Sequence, residues 1–196
     1  SLGRTLVQRQ RDGGRCAVLL MDFDRFSSVR DTLGTAFADR MVASMAAALA
    51  RGMRRGDLMA RLARDEVAIL IDDLTEETEL VHVARKLLAL VRRAAREESS
   101  WPDLTASVGI AISPDQGETP EAMLEAADHA LRQAKAQGGN SYSFCSEEFQ
   151  KTVSRYLDLH LALQGALARD EFRLHYQPIV DLGSARVGAF EALLRW

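Results

Sequence analysis

Arg61-Leu-Ala-Arg-Asp-Glu-Val-Ala-Ile-Leu70 carries the short segment Ala63-Arg-Asp-Glu66 between two apolar runs, Leu58 to Leu62 and Val67 to Ile71. Runs this short on either side of a charged break predict a β-hairpin that presents Asp65 and Glu66 at its turn. Upstream, Cys16-Ala-Val-Leu-Leu-Met-Asp22 is an apolar run ending in an acid, the pattern of a buried strand that delivers carboxylates at its tip. From about Phe37, the residues Phe37, Met41, Met45 and Leu49 recur every four positions and predict one buried helix face. Thr75, Glu76 and Glu77 form a cap and acidic first turn for a second helix, with Leu80, Val83, Ala84, Leu87, Leu88 and Val91 as its apolar stripe. Leu104 to Ile112 reads as a strand with Gly109 inside it. Thr119-Pro120 opens a further helix that ends at Gln137-Gly138-Gly139-Asn140. Strands interleaved with helices predict a sheet covered by helices.

Composition narrows the function classes. The chain has 196 residues, 47% hydrophobic and 27% charged, enough for one full core and part of a second. A net charge of −3, without a basic run interleaved with aromatics, argues against a nucleic-acid groove. Cys16 and Cys145 lack CxxC or histidine partners, and His82, His129, His160 and His175 show no metal spacing, so neither a disulfide framework nor a zinc site is expected. No apolar stretch approaches the roughly 20 residues of a membrane span. A cytoplasmic location is expected, with any membrane anchor lying upstream in a longer parent.

Two acidic clusters remain, Asp22-Phe23-Asp24 at a strand end and Asp65-Glu66 at the hairpin turn. If the strands are neighbours the acids converge, and converging carboxylates are what Mg²⁺ prefers alongside phosphate oxygens. The alternative is that they are solvated turn residues.

The hairpin resembles the RLGGDEFAILL segment of diguanylate cyclases, the GGDEF family. The similarity continues through Leu20-Met-Asp-Phe-Asp-Arg-Phe26, Asp31-Thr-Leu-Gly34, Thr105-Ala-Ser-Val-Gly-Ile-Ala111 and Ala127-Asp-His-Ala-Leu-Arg-Gln-Ala-Lys135, about Cys16 to Phe144 in all. It implies a nucleotide-cyclase-like α/β (α+β) unit whose five-stranded, mainly antiparallel sheet is flanked by helices. It also implies that two GTP-loaded domains face each other to make cyclic-di-GMP. By position, Asp22, the Phe23 carbonyl, Asp65 and Glu66 would hold Mg²⁺, with Glu66 the catalytic acid, here expected to be vestigial. Asp39 and Lys135 would contact the nucleotide, and Arg64 could pair with a phosphate. Arg54 and Asp57 resemble the family's RxxD inhibitory cyclic-di-GMP site, against the plainer reading of a loop salt bridge.

The departures from the family pattern are Arg30 for the guanine-contacting Asn, Ala63-Arg64 for the glycine pair, and Gly139 for a phosphate-contacting Arg. Glycine pairs permit positive φ. Side chains held there are expected to cost roughly 1–2 kcal/mol each. With two polar contacts missing as well, GTP binding is expected to fall by roughly three orders of magnitude.

A second resemblance, in Glu171-Phe-Arg-Leu-His-Tyr-Gln-Pro-Ile-Val-Asp181 and Phe190-Glu-Ala-Leu-Leu-Arg-Trp196, is to the start of EAL phosphodiesterases. It implies Glu191 as a metal ligand and Gln177 and Arg195 as dinucleotide contacts. The expected organisation is a GGDEF unit over 1–145, a linker helix over 146–169 carrying Val153, Leu157, Leu161 and Leu167, and an EAL fragment over 170–196. The apolar residues of that fragment have no evident core, so it is expected to be poorly ordered or to borrow a neighbour. The resemblances imply a regulatory module for an attached EAL enzyme, binding GTP or cyclic-di-GMP or forming a homodimer. An active diguanylate cyclase and a structural spacer are the alternatives.

Overall fold

The computed structural model describes residues 1–97 and 101–196, and within its last helix the side chains other than those at 147, 148, 150, 153, 154, 156, 157 and 160. The expected linker contacts of Val153 and Leu157 therefore lie outside the described side chains. The chain divides into two compact units, Ser1–Val153 and Ser154–Trp196.

The first unit is built on a five-stranded sheet in the order β2-β3-β1-β4-β5. Its strands are β1 (Cys16–Phe23), β2 (Leu58–Arg61), β3 (Glu66–Ile71), β4 (Ala106–Ser113) and β5 (Tyr142–Phe144). Every pairing is antiparallel except β4 with β5, as the interleaved pattern and the resemblance led us to expect. β1 lies at the centre because it is apolar on both faces, and its residues from Cys16 to Met21 are all buried. Its even positions Cys16, Val18 and Leu20 join Leu70, Ala111 and Leu6 in one core. That core is covered by α1 (Leu2–Asp12) and by Met123, Ala127 and Leu131 of α5 (Pro120–Ala136). The odd positions form cross-strand rows such as Leu19 with Ile69 and Ile110, all fully buried. α3 (Thr35–Gly52) and α4 (Glu77–Glu97) pack on each other, and α4 also reaches β4.

Several local readings change. The α3 face is Ala38, Met41, Met45 and Leu49, with Phe37 only half-buried at the helix start. On α4 the buried stripe takes Val81 in place of Val83, because the helix axis centres the row on Leu80, Ala84, Leu87 and Val91. Asp31 to Gly34 is not a simple turn: it finishes a short helix, α2 (Phe26–Leu33), which stops at Gly34 with φ 83°. Gly109 in β4 has a different reason to be glycine. A Cβ there would lie 2.0 Å from the Ala127 carbonyl oxygen and 2.3 Å from the Leu131 nitrogen, so α5 rests backbone to backbone on the strand.

In the second unit β6 (Arg173–Asp181) pairs antiparallel with β7 (Arg186–Arg195), around a turn in which Asp181 Oδ1 accepts from the Ser184 amide and hydroxyl, both at 2.6 Å. α6 (Glu147–Ala166) runs across the division between the units. The tail therefore forms a hairpin, yet Leu174, Tyr176, Phe190 and Leu194 stay exposed. Among the described residues no helix is long and apolar enough to cross a membrane.

Candidate functional site

β1 ends where the acids begin, and the register decides which of them meet. Asp22 stands directly opposite Glu66 of β3 and opposite Ser107 of β4, in one cross-strand row. Phe23 donates its amide to the Asp65 carbonyl at 3.3 Å, which fixes the hairpin turn against the end of β1. Lys135, in the last turn of α5, crosses over this row and places Nζ 2.7 Å from Asp22 Oδ1. One acid of each cluster, Asp22 and Glu66, thus meets across the sheet, and a cation from a helix pairs with Asp22.

The field at this row is crowded with negative charge. Burial foremost pushes the Asp22 carboxyl above its ordinary range; Lys135 pulls it back, while Asp65 and Asp24 push it further up. The Glu66 carboxyl is likewise raised, first by burial and then by Asp22, Asp128 and Asp65. Asp128 was not recognised in the sequence, although it precedes Lys135 by seven positions and so shares its helix face. It also pairs with Arg132 at 2.6 Å.

Asp24 does not join the row. Its Oδ1 accepts from Ser107 Oγ at 2.7 Å, and its Oδ2 from Thr105 Oγ1 at 2.6 Å and from the Asn140 amide at 2.9 Å. Its own amide donates to the Thr105 carbonyl at 2.9 Å.

The hairpin turn corrects the expectation of strain. Neither Ala63 nor Arg64 is among the positive-φ residues, so the two side chains cost no left-handed backbone there. Instead the Leu62 and Ala63 amides both point at the Glu66 carbonyl, at 3.0 and 3.4 Å. Arg61 closes the turn by donating Nε to the Ala63 carbonyl at 3.0 Å and a terminal nitrogen to the Arg64 carbonyl at 2.6 Å. The Arg64 side chain is left exposed at the tip. At Gly139 the φ of 75° favours glycine, and a Cβ there would lie 3.1 Å from the Asp24 carboxylate.

The other expected residues belong to other elements. Asp39 is exposed on α3. Arg54 and Asp57 share one turn: the Asp57 carboxylate accepts from the Arg54 amide at 3.2 Å, while the Arg54 guanidinium pairs with Glu79 of α4. In the second unit Gln177 stands directly opposite Glu191, and Arg195 opposite Arg173, so the period-two alternation of the hairpin puts all three expected residues on one face.

The sequence profile of the GGDEF domain of diguanylate cyclases matches residues 1–141. The chain belongs to the GGDEF family. Over 184 residues it is 33% identical to the cyclic di-GMP phosphodiesterase NbdA of Pseudomonas aeruginosa, covering 94% of this chain and 23% of that protein. Over 195 residues it is 34% identical to the bifunctional diguanylate cyclase/cyclic di-GMP phosphodiesterase MucR of the same organism, covering 100% of this chain and 28% of MucR. The chain thus spans roughly a quarter of the length of these relatives. The GGDEF domain of TpbB (YfiN) from P. aeruginosa, at 31% identity, superposes with a TM-score of 0.67 over 74% of this chain and 91% of that one. The GGDEF sheet of this chain is therefore the family's α+β fold, and its row of acids lies where the central strand meets the hairpin that names the family.

Proposed function

We propose that the GGDEF unit is a nucleotide-responsive regulatory module of a cyclic-di-GMP signalling protein, in which residues 170–196 begin an EAL phosphodiesterase that the unit tunes. The observation that carries this reading is the Asp22–Lys135 ion pair set within the row of Asp22, Glu66 and the adjoining Asp65 turn. This row would supply the cation and carboxylates of a triphosphate site, while the adjoining turn carries Arg64 in place of glycine.

The donor set suits Mg²⁺. Among the described residues no three His, Cys, Asp or Glu side chains form a closed metal cage. Mg²⁺ commonly takes only one or two carboxylates and completes its shell with water and substrate phosphates. Asp22, the Phe23 carbonyl and Asp65 would hold the ion, with Glu66 beside them, and the ion would neutralise the triphosphate. Lys135 already neutralises Asp22; with a nucleotide present it would turn to the phosphates, and Arg64 would add a second cation at the tip. Asp39 would meet the base. Cyclic-di-GMP at the Arg54 and Asp57 turn would compete with Glu79 for the exposed Arg54 guanidinium, a surface pair that costs little to displace.

A second reading, a working diguanylate cyclase formed by two such units face to face, gains from the relaxed backbone at Ala63 and Arg64. Calorimetry of the chain with Mg·GTP and with cyclic-di-GMP, run beside an assay for cyclic dinucleotide formed from GTP, separates the readings. Binding without product supports the regulatory module, product supports the cyclase, and silence in all three leaves a structural spacer.

A further inference from the structure

We propose that Asp24 is a positioning residue for Lys135: it clamps the end of α5 onto the end of β1, and so sets the ammonium over Asp22. From its place just past β1, the carboxylate ties two further elements to that strand end. Thr105 and Ser107 bring the start of β4, and the Asn140 amide brings the turn that leaves α5. Each of the two oxygens is spoken for, so the carboxylate has little capacity left for a metal, and it is a clamp rather than a third ligand.

The clamp sits one turn of chain beyond the cation. Lys135 is followed within four residues by Gly139, whose φ of 75° and missing Cβ let the turn lie directly on the Asp24 carboxylate. Between them the Gly138 amide donates to the Lys135 carbonyl at 3.1 Å and the Gly139 amide to the Ala134 carbonyl at 3.2 Å, so the turn and the last helical residues form one bonded piece. Fixing Asn140 against Asp24 therefore fixes the backbone of Lys135. From there Nζ reaches Asp22 Oδ1 at 2.7 Å. Without the clamp, the end of α5 keeps the Ser141 hydroxyl on the Ala134 carbonyl at 3.1 Å and the pairing of β5 with β4, and loses its tie to the residue that follows β1.

Charge and geometry can be separated by substitution. Asp24→Asn keeps one acceptor for the Asn140 amide and Thr105, and the Ser107 hydroxyl can rotate to accept from the new amide. Asp24→Ala removes the clamp altogether. The first experiment needs no nucleotide: crystal structures of the chain with Asp24→Asn and with Asp24→Ala. The Asn variant is expected to keep Lys135 on Asp22, and the Ala variant to lose that ion pair. If Asp24→Ala does not fold, Asp24→Ser, whose shorter side chain no longer reaches the Asn140 amide while keeping a hydroxyl for Thr105 and Ser107, takes its place, with the same loss expected.

The second experiment rests on the nucleotide reading and uses calorimetry with Mg·GTP. Asp24→Ala is expected to weaken binding roughly tenfold, the scale of one charge-assisted contact, and to weaken it no further in a Lys135→Met background. Losses that multiply in the double variant, an Asn variant as weak as the Ala variant, or an ion pair that survives Asp24→Ala would each overturn the proposal. If the parent chain does not bind Mg·GTP, the nucleotide reading fails and the crystal structures alone decide the role of Asp24.

Discussion

Replacing Gly109 by alanine should unseat α5 from the sheet. The added Cβ would meet the Ala127 oxygen at 2.0 Å, the Leu131 nitrogen at 2.3 Å and the Leu131 Cα at 2.8 Å. All three are backbone atoms, so no side chain can swing away. Ordinary contact begins near 3.4 Å, and the difference from 2.0 Å requires the helix to retreat by about 1.4 Å. Overpacking of this kind typically costs about 1–3 kcal/mol, and more where backbone must move. A gap of even 0.5–1 Å under the buried Met123, Ala127, Ala130, Leu131 and Ala134 also forfeits a quarter to a half of their dispersion contacts. Together these give a loss of about 3–5 kcal/mol. With a urea slope of about 2 kcal/mol per molar, the unfolding midpoint should fall by about 1.5–2.5 M. Trp101, edge-on to Phe37 in the first unit, reports the transition by fluorescence in a Trp196→Phe background, which silences the second unit. A midpoint shift below about 0.5 M would refute the close approach of α5 to β4.

Restoring glycine at both turn positions, Ala63→Gly with Arg64→Gly, should lower stability by about 1–2 kcal/mol, since the unfolded chain gains freedom and no strain is relieved; a raised thermal midpoint would contradict this. Glu66 has a folded-state carboxyl raised above its unfolded value, so the folded chain retains a proton that the unfolded chain has shed just above the ordinary carboxylate range. Its contribution therefore falls as pH rises through that window, and Glu66→Gln should flatten the slope of urea midpoints measured between about pH 4 and 8; an unchanged slope would count against it. The exposed row of Leu174, Tyr176, Phe190 and Leu194 should make the chain associate with rising concentration, and Leu174→Ser with Phe190→Ser should abolish this in light scattering. A parent chain that stays monomeric at high concentration would show that the hairpin face is not adhesive.

The parts of this fold that were legible in the sequence are those where burial is periodic. β1 is a continuous apolar run, and the stripes of α3 and α4 repeat at helical spacing, so each could be placed without any neighbour. α1 was not seen because only Thr5 and Leu6 are buried along its length and the remainder is rich in Arg and Gln. β5 was missed because its three residues owe their strand geometry to pairing with β4. At the site, residue type singled out Asp22, Asp65 and Glu66, and the resemblance added Lys135, but neither showed that Asp24 turns aside to hydroxyl groups. The available signal was Thr105 and Ser107, two hydroxyls two positions apart at the start of an otherwise apolar strand. The backbone of the turn at Ala63 and Arg64 could not be inferred from a comparison with glycine, because a glycine permits positive φ without requiring it.

The central place of β1 has a consequence for the rates at which amide protons trade with solvent. It is bonded to β3 from Ala17 to Asp22 and to β4 from Cys16 to Phe23, so amides along it open only when the whole unit does. The turn residues Leu62 to Arg64 hang on the Glu66 carbonyl and the Arg61 guanidinium, and they can open alone. Any ligand held between Asp22 and that turn would join a slow clock of the molecule to a fast one. Its presence would then be recorded as slowed exchange at Ala63 and Arg64 while Leu19 and Leu20 still report the stability of the whole unit, so occupancy and folding could be read from one protein in one experiment.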